Sequence, residues 1–562
     1  MRKIVATAFA GALLANLSAC GGGSDNASPT PAPVPTPVPA PTPVPSPAPT
    51  PAPVPSPAPT PAPVPQTWYT TKTPYSPKQD MASYEAPPAG FSPVYTELVA
   101  RHGSRGLSSL KYDAAMYAIW QKAAADGALT ELGQKLGPDL MRLMKANALL
   151  GYGVAGISTP GYGNLTAVGI AEHQQLAARL LKRLPAYFDD VAKAAGSGAA
   201  RQIVVQSSGV DRAVDSASFF SQALTGNAPA LKPVTVAADA LTAYPANAPV
   251  AQAAGVNRFL LYFHKLAAKT DLVSDPASPY YQTYQDSLAF QAYAADADLS
   301  AKLAGFNADP ALKVAARAVL ERLFTKAFVD RIDNGTYSFA NSGSFSFTSD
   351  DGKFTNTLTG DGKTTVKGIV DAVSMLYNVY VITPAFKGTL DLDFSAYLPD
   401  AQARAFAYLQ DAQDFYAMGP GMSEAGSVTF RMATALREDF FNEVDAIAKG
   451  QLGRAAKLRF THAEIIVPFS SSLGLANVYV PVPKAQTYSY DNNPWRGELV
   501  SPMAANVQWD VYRDAGGRLL VKMLYNERET AFKADCEGAR YSAGSNFYDY
   551  GKLKACYGHV AS

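Results

Sequence analysis

"ELVARHGSRGLSSL", residues 97–110, holds at its centre Arg101-His102-Gly103-Ser104-Arg105. The chain has only five histidines, and here one stands between two arginines, beside a glycine, at the end of an apolar run. Positive charges this close disfavour protonation of the imidazole and repel one another, so a bare surface site would gain nothing from them. A bound anion would make sense of the arrangement. The stretch "VYTELVARHG" alternates well enough for a strand, which puts the cluster at a strand end.

Working outward, "SSLKYDAAMYAIWQKAAADG" has helical spacing with Gly127 as its stop. "LTAVGIAEHQQLAARLLKRLP" sets Leu176, Leu180, Leu181 and Leu184 on one helical face. "RQIVVQS" is a short β-rich run, and "DRAVDSASFFSQAL" repeats Val214, Ala217, Phe220 and Leu224 at helical intervals. The order strand, helices, strand, helix favours a parallel sheet with its ligand outside the carboxyl ends of the strands. From about residue 225 to 425, "VNRFLLYFHKLAAKT", "ALKVAARAVLERLFTKAFVDRI" and "VKGIVDAVSMLYNVYVI" read as helical. The Gly-, Ser-, Thr- and Asp-rich "NGTYSFANSGSFSFTSDDGKFTNTLTGDGKTT" reads as a hairpin or ordered loop, with turns at Asp350-Asp351-Gly352 and Asp361-Gly362 rather than calcium ligands. The last part returns to α/β: "KLRF" leads into Thr461-His462-Ala463-Glu464, and "GRLLVKMLYNERETAF" alternates as a strand or hairpin. A second histidine thus also falls at a strand end.

Forty-eight basic against 47 acidic residues leave a net charge of +1, so no global field favours nucleic acid, and any preference for anions is local. The first residues are separate from the fold. Arg2 and Lys3 precede an apolar stretch, residues 4–17, that is too short to cross a bilayer and ends in Leu17-Ser18-Ala19-Cys20. This resembles a bacterial lipoprotein signal in which Cys20 becomes the lipidated terminus, and it implies export to the cell envelope, periplasm or outer-membrane surface. No later run is uninterrupted and apolar over a spanning length, so the expected membrane contact is the lipid anchor alone. From residue 29 to 65 every odd position is proline, which reads as a polyproline-like spacer of roughly 110 Å. With Cys20 lipidated, Cys536 and Cys556 remain as a pair in an oxidising compartment and are expected to form a disulfide. The expected organisation is therefore signal 1–19, lipidated cysteine and linker 20–66, α/β core 67–224, inserted mainly helical domain 225–425 and α/β core 426–562.

A phosphoryl group in transfer spreads charge over three oxygens, so its catalyst needs fixed positive donors and an in-line nucleophile. Arg101 and Arg105 offer guanidinium forks that match phosphate oxygens, and a neutral His102 can attack phosphorus to give a phosphohistidine. "SSGVDRAVDSASFF" puts Arg212 where a strand gives way to a helix, beside free helix amides. "THAE" supplies His462 as a further phosphate donor and Glu464 as general acid for the departing alkoxide. His173 and His264 read as solvent-facing or packed residues, His559 has no assigned role, and Lys111 or Arg183 could contact substrate.

"RHGSR", the "DRAVDSA" arginine segment and the C-terminal "HAE" together resemble the histidine acid phosphatases of the second clade of the histidine phosphatase superfamily. "HAE" in place of "HD", with "SPMAANVQWDVY" and "LVKMLYNERE", looks most like the multiple inositol polyphosphate phosphatase and phytase group. The resemblance implies an α/β core with a mainly parallel central sheet and an inserted helical domain. It implies a small phosphorylated substrate such as phytate and a metal-free, cofactor-free mechanism. His102 and Glu464 would be catalytic, with Arg101, Arg105, Arg212 and His462 binding phosphate. Where many relatives follow the second arginine with a residue and then Pro or Thr, this chain has Gly106-Leu107, a different pocket rim. The alternatives are a broad acid or sugar phosphatase, or a non-catalytic surface lipoprotein that binds phosphoanions.

Overall fold

The computed structural model describes residues 68–197, 199–241 and 252–560. The expected signal, Cys20 and the proline tract lie outside the described residues. Residues Thr67–Ser562 make one compact unit. Its strands are β1 (Ser92–Arg101), β2 (Gln202–Ser207), β3 (Thr235–Ala237), β4 (Phe339–Ala340), β5 (Ser344–Thr348), β6 (Thr355–Thr359), β7 (Thr364–Val366), β8 (Arg454–Thr461), β9 (Asn506–Arg513), β10 (Leu519–Tyr525), β11 (Arg528–Glu529) and β12 (Phe547–Asp549).

The main sheet runs β11-β10-β9-β1-β8-β2-β3, with β12 on β10. Strands β1, β8, β2 and β3 are parallel to one another, whereas β9 to β12 add antiparallel pairs. The expected α/β class stands, the sheet is mixed, and its parallel part carries the candidate site. Parallel strands need long crossovers, which the intervening helices supply, while β9 and β10 are joined by a short turn and can pair antiparallel. Register does the positioning. Arg101 pairs with Thr461 and Ser207 with Phe460, so three strands end together and deliver His102, His462 and Ser208 to one edge.

One face of the parallel part packs Leu98, Ala100, Leu458, Phe460 and Ile203 against the helices Ala167–Arg183, Pro185–Gly196 and Asp211–Asn227. Leu176, Leu180 and Leu184 are buried on the expected face, with Leu181 at its margin. In the helix Asp211–Asn227, Ala217, Phe220 and Leu224 are buried as expected, but Val214 is exposed and Ala213 takes the buried position. The other face continues into one hydrophobic core shared with the helices between β3 and β8.

"NSGSFSFTSDDGKFTNTLTGDGK" folds as the hairpin β5–β6, with cross-strand Ser/Thr hydroxyl pairs along its exposed face. "VNRFLLYFHKLAAKT" is not a continuous helix. It breaks into Arg258–Leu261, a 3-10 turn at Phe263–Lys265, and Ala268–Asp271, held by an Arg258–Asp271 ion pair at 2.7 Å. The break turns Tyr262 and His264 toward His462, with ring centroids 5.4 and 6.1 Å away. Among the described residues one segment, Ile369–Phe386, is apolar and long enough on average to cross a membrane; Asp371 and Asn378 interrupt it, and two thirds of it is buried in the core, where the helix Ile369–Ile382 packs. Cys536 and Cys556 form the expected disulfide, Cα to Cα 5.6 Å, tying the turn Ala534–Ala539 to the helix Tyr550–Cys556.

Candidate active site

The loop after β1 is held from below by a close backbone crossing. A Cβ on Gly103 would lie 2.4 Å from the Gly169 carbonyl oxygen, and one on Gly169 only 2.0 Å from that of Ser104, so both positions require glycine. Gly169 stands in the first turn of the helix Ala167–Arg183, and Glu172, one turn on, accepts from the Ser104 amide (2.6 Å) and hydroxyl (2.7 Å). Gly103 N donates to Ser216 Oγ at 3.2 Å, which joins the loop to the helix that carries Arg212. His102 is fixed by its own amide, bonded to Thr461 O at 2.8 Å, and by Nδ1, 2.9 Å from Gly103 O. A carbonyl oxygen only accepts, so Nδ1 carries the proton and Nε2 keeps its lone pair.

A cavity of about 180 Å³ opens over this loop and is lined by Arg101, His102, Arg105, Arg212 and Glu464 together with Lys72 and Asp414. Arg101 donates to Thr71 O and Ser501 O, both at 2.5 Å, and Arg105 to Gly106 O at 2.7 Å. The Nε atoms of Arg101, Arg105 and Arg212 are buried without a hydrogen-bond partner, and none of the three arginines has an ion pair among the described residues. Three guanidiniums without ion pairs around one cavity suit an anion from outside the chain. His462 lies directly behind, its ring centroid 5.5 Å from that of His102, with Nε2 2.8 Å from Ser208 Oγ and Nδ1 buried and unpartnered. It is fully buried and adjoins His102 without forming cavity wall.

The electrostatics follow from crowding. Burial, then Arg212, Arg101 and Arg105, hold the His102 imidazole well below the usual histidine range, so it is neutral at physiological pH. Burial and the neighbouring guanidiniums bring Arg105 down to about 9, and burial brings Arg101 to about 10 even with Glu464 and Asp414 opposing. Burial by itself would raise Glu464, but His264 and His462 outweigh it and hold the carboxyl well below its ordinary range. Asp414 moves the other way, raised by burial to about 6.

The cavity thus gathers every catalytic and phosphate-binding candidate except His462, which stands immediately behind it. His173 and His264 are packed residues, lowered by burial to about 3 and about 4. Arg183 is bound to Asp510 at 2.9 Å, and neither it nor Lys111 lines the cavity. His559 bridges Glu438 (2.5 Å) and Asp445 (3.0 Å) near the C-terminus. Two charged cavity residues were not anticipated: Lys72, from "TTKTPY", and Asp414, from the helix Asp400–Ala417. Neither sits in a motif. The only signal for Lys72 is the end of the proline tract a few residues earlier.

A neutral, oriented imidazole in a cup of unpaired guanidiniums beside a carboxyl defines a class: enzymes that transfer a phosphoryl group through histidine. Comparisons agree. The sequence profile described as histidine phosphatase superfamily (branch 2) matches residues 353–526, a range that holds His462 and Glu464. The Bifidobacterium longum multiple inositol polyphosphate phosphatase, solved in complex with inositol hexasulfate, is 32% identical over 88% of this chain and 99% of its own, at a TM-score of 0.72. Its phosphate complex matches at 32% identity over 88% and 97%, at 0.74. A phytase from D. castellii, 11% identical over 87% and 84% at a TM-score of 0.51, shares the fold. No curated protein matches the sequence. The chain belongs to branch 2 of the histidine phosphatase superfamily and is a phosphatase of that family.

Proposed function

We propose that this phosphatase hydrolyses inositol polyphosphates such as phytate through a covalent phosphohistidine on His102, and that it does so as an exported, lipid-anchored protein. The observation that carries the reading is the set of three arginines, from two separated segments, whose Nε atoms are buried without partners around a neutral histidine. Arg101, Arg105 and Arg212 bind the oxygens of the phosphate to be transferred, and His462 donates to it through Nδ1. His102 Nε2 attacks phosphorus, the P–N bond forms as the ester P–O bond breaks, and Glu464 gives its proton to the departing alkoxide. Water then attacks the phosphohistidine, Glu464 takes the proton back, and inorganic phosphate leaves. The negative charge of the bound substrate raises the Glu464 carboxyl, which is what lets it arrive protonated. The substrate class is supported by the 32% identical relative, solved with inositol hexasulfate. Export and anchoring are supported by the N-terminal sequence ending at Cys20 and by the Cys536–Cys556 disulfide, a bond characteristic of oxidising compartments.

The test is phosphate release from phytate and from glucose phosphate at acidic to neutral pH, with and without chelator. Preference for phytate and indifference to chelator are expected. Equal rates on both substrates would favour a broad phosphatase, and binding of phytate with no turnover of either would sink the catalytic reading. Metabolic labelling with a fatty acid, lost in Cys20→Ala, is expected for the anchor.

A further inference from the structure

Residues 68–75 form a strap that follows the proline-rich tract in sequence and lines the cavity with Thr70, Thr71 and Lys72. Its start is tied to the helical segment: Tyr377 Oη donates to Trp68 O (2.8 Å), and Trp68 Nε1 donates to Asp400 Oδ1 (2.6 Å). Its end is tied to the α/β core, where Met503 N donates to Thr73 O (2.9 Å) and Tyr75 N to Glu172 Oε1 (2.7 Å). Between these ties the chain turns through Thr70–Lys72, with Trp68 and Thr70 at φ of 56° and 48°. A tryptophan and a β-branched threonine at positive φ are strained, a conformation that persists where the surroundings over-determine it.

The turn presents the Lys72 side chain to the cavity that holds Arg101 and Arg105. Among the described residues the ammonium has no hydrogen bond and no ion pair, and burial, then Arg105 and Arg101, bring it down to about 7. Burying a fourth cation beside unpaired guanidiniums is costly unless an anion joins them. Arg101, Arg105, Arg212 and His462 are already assigned to the phosphate under attack, and Lys72 reaches the same cavity from a separate segment. Its compact charge on a flexible stem suits a phosphate that must be held but not oriented for attack.

We propose that Lys72 is a substrate-binding residue that holds a phosphate neighbouring the one being cleaved, so the strap after the linker is a wall of the specificity pocket. This rests on the inositol polyphosphate reading and extends it to a residue outside every motif. The experiment uses the full chain and its Lys72→Gln and Lys72→Arg variants at pH 6, where the ammonium is charged. Binding of inositol hexasulfate and of inorganic phosphate is measured by calorimetry, alongside thermal unfolding. A charge-assisted contact predicts that Lys72→Gln weakens hexasulfate binding by about 10-fold or more, leaves inorganic phosphate within about twofold and the unfolding midpoint unchanged or higher, and that Lys72→Arg restores most of the loss in binding. Unaltered hexasulfate binding in Lys72→Gln, with a tightly binding parent, overturns the proposal alone. Equal weakening of both ligands, or a fall in midpoint that Lys72→Arg does not restore, also overturns it, in favour of a role in holding the strap. A parent chain that binds phosphate but not hexasulfate overturns the polyphosphate reading and this proposal with it.

Discussion

Strands β1 and β8 carry two clusters of buried charge, a few residues apart, that are built on opposite rules. In the interior, Arg459 meets Glu97 at 3.0 Å and Asp439 at 2.5 Å, while Lys457 meets Asp439 at 2.7 Å and Glu443 at 2.9 Å. Every cation there has a carboxylate, and although burial would raise Asp439, Lys457 and Arg459 bring it to about 2. At the carboxyl ends of the same strands, Arg101, Arg105, Arg212 and Lys72 face a cavity with no ion pair among the described residues. Burial is common to both, so burial does not distinguish structure from function here. What distinguishes them is whether the chain sets a carboxylate in contact with each cation.

Substitutions at the two clusters should therefore fail differently. His102→Ala, which removes the proposed nucleophile at the centre of the unpaired cluster, is expected to lower phosphate release by at least about 10⁴-fold with thermal unfolding little changed. Residual turnover near the parent level would place the covalent step elsewhere. In the paired cluster, Arg459→Met leaves Glu97 buried without its partner and Asp439 with Lys457 alone, and is expected to cost about 3–5 kcal/mol in denaturant unfolding. The matching change in the unpaired cluster, Arg212→Met, is expected to leave stability unchanged or higher while lowering kcat/KM by about 100-fold or more. If both arginines behave alike in both assays, the comparison is broken.

Acid sharpens it further, because His173 belongs to neither cluster. It is fully buried against Phe460, ring centroids 5.6 Å apart, and burial depresses it from 6.5 to about 3. Below pH 6.5 the unfolded chain binds a proton that the folded chain does not, so this histidine's contribution is lost as pH falls from 6.5 toward 3. Asp113, raised by burial to about 6, acts with the opposite sign, so the useful quantity is the difference between parent and variant. Between pH 7 and 4.5, His173→Leu is expected to remove about 2–3 kcal/mol of the parent's stability loss, read from unfolding midpoints in denaturant. The smallest effect is at Lys72. With its folded value near 7, the unfolded chain holds a proton that the folded chain lacks between pH 7 and 10.5, so stability rises with pH across that window. A gain of a few degrees at most in thermal midpoint from pH 7 to 9 is expected in the parent, and its absence in Lys72→Met is the check.

The residues legible in sequence were those whose neighbours along the chain supply the signal. "RHGSR" and "THAE" follow alternating strand residues, and "DRAVDSA" joins a strand to a helix, so each marks its own strand end. Lys72 and Asp414 carry no such mark, because the strap and the helix Asp400–Ala417 reach the cavity only after the helical segment packs on the core. The same holds for the break at Tyr262: local spacing favours a helix, while packing of Tyr262 and His264 on His462 breaks it. Mixed sheet direction was also beyond local reading, since alternation marks a strand and not the sense in which it pairs.

Residue order alone determined which side chains could bind and attack a phosphate, and that they would stand at strand ends, because periodicity and the chemistry of Arg, His and Glu act over a few residues. Tertiary structure decided how they meet: the pairing of Arg101 with Thr461 sets the two histidines edge to edge, and chain crossing from residues 68–75 and 400–417 completes the cavity wall. Those meetings depend on register and on packing between distant segments, which no local pattern encodes.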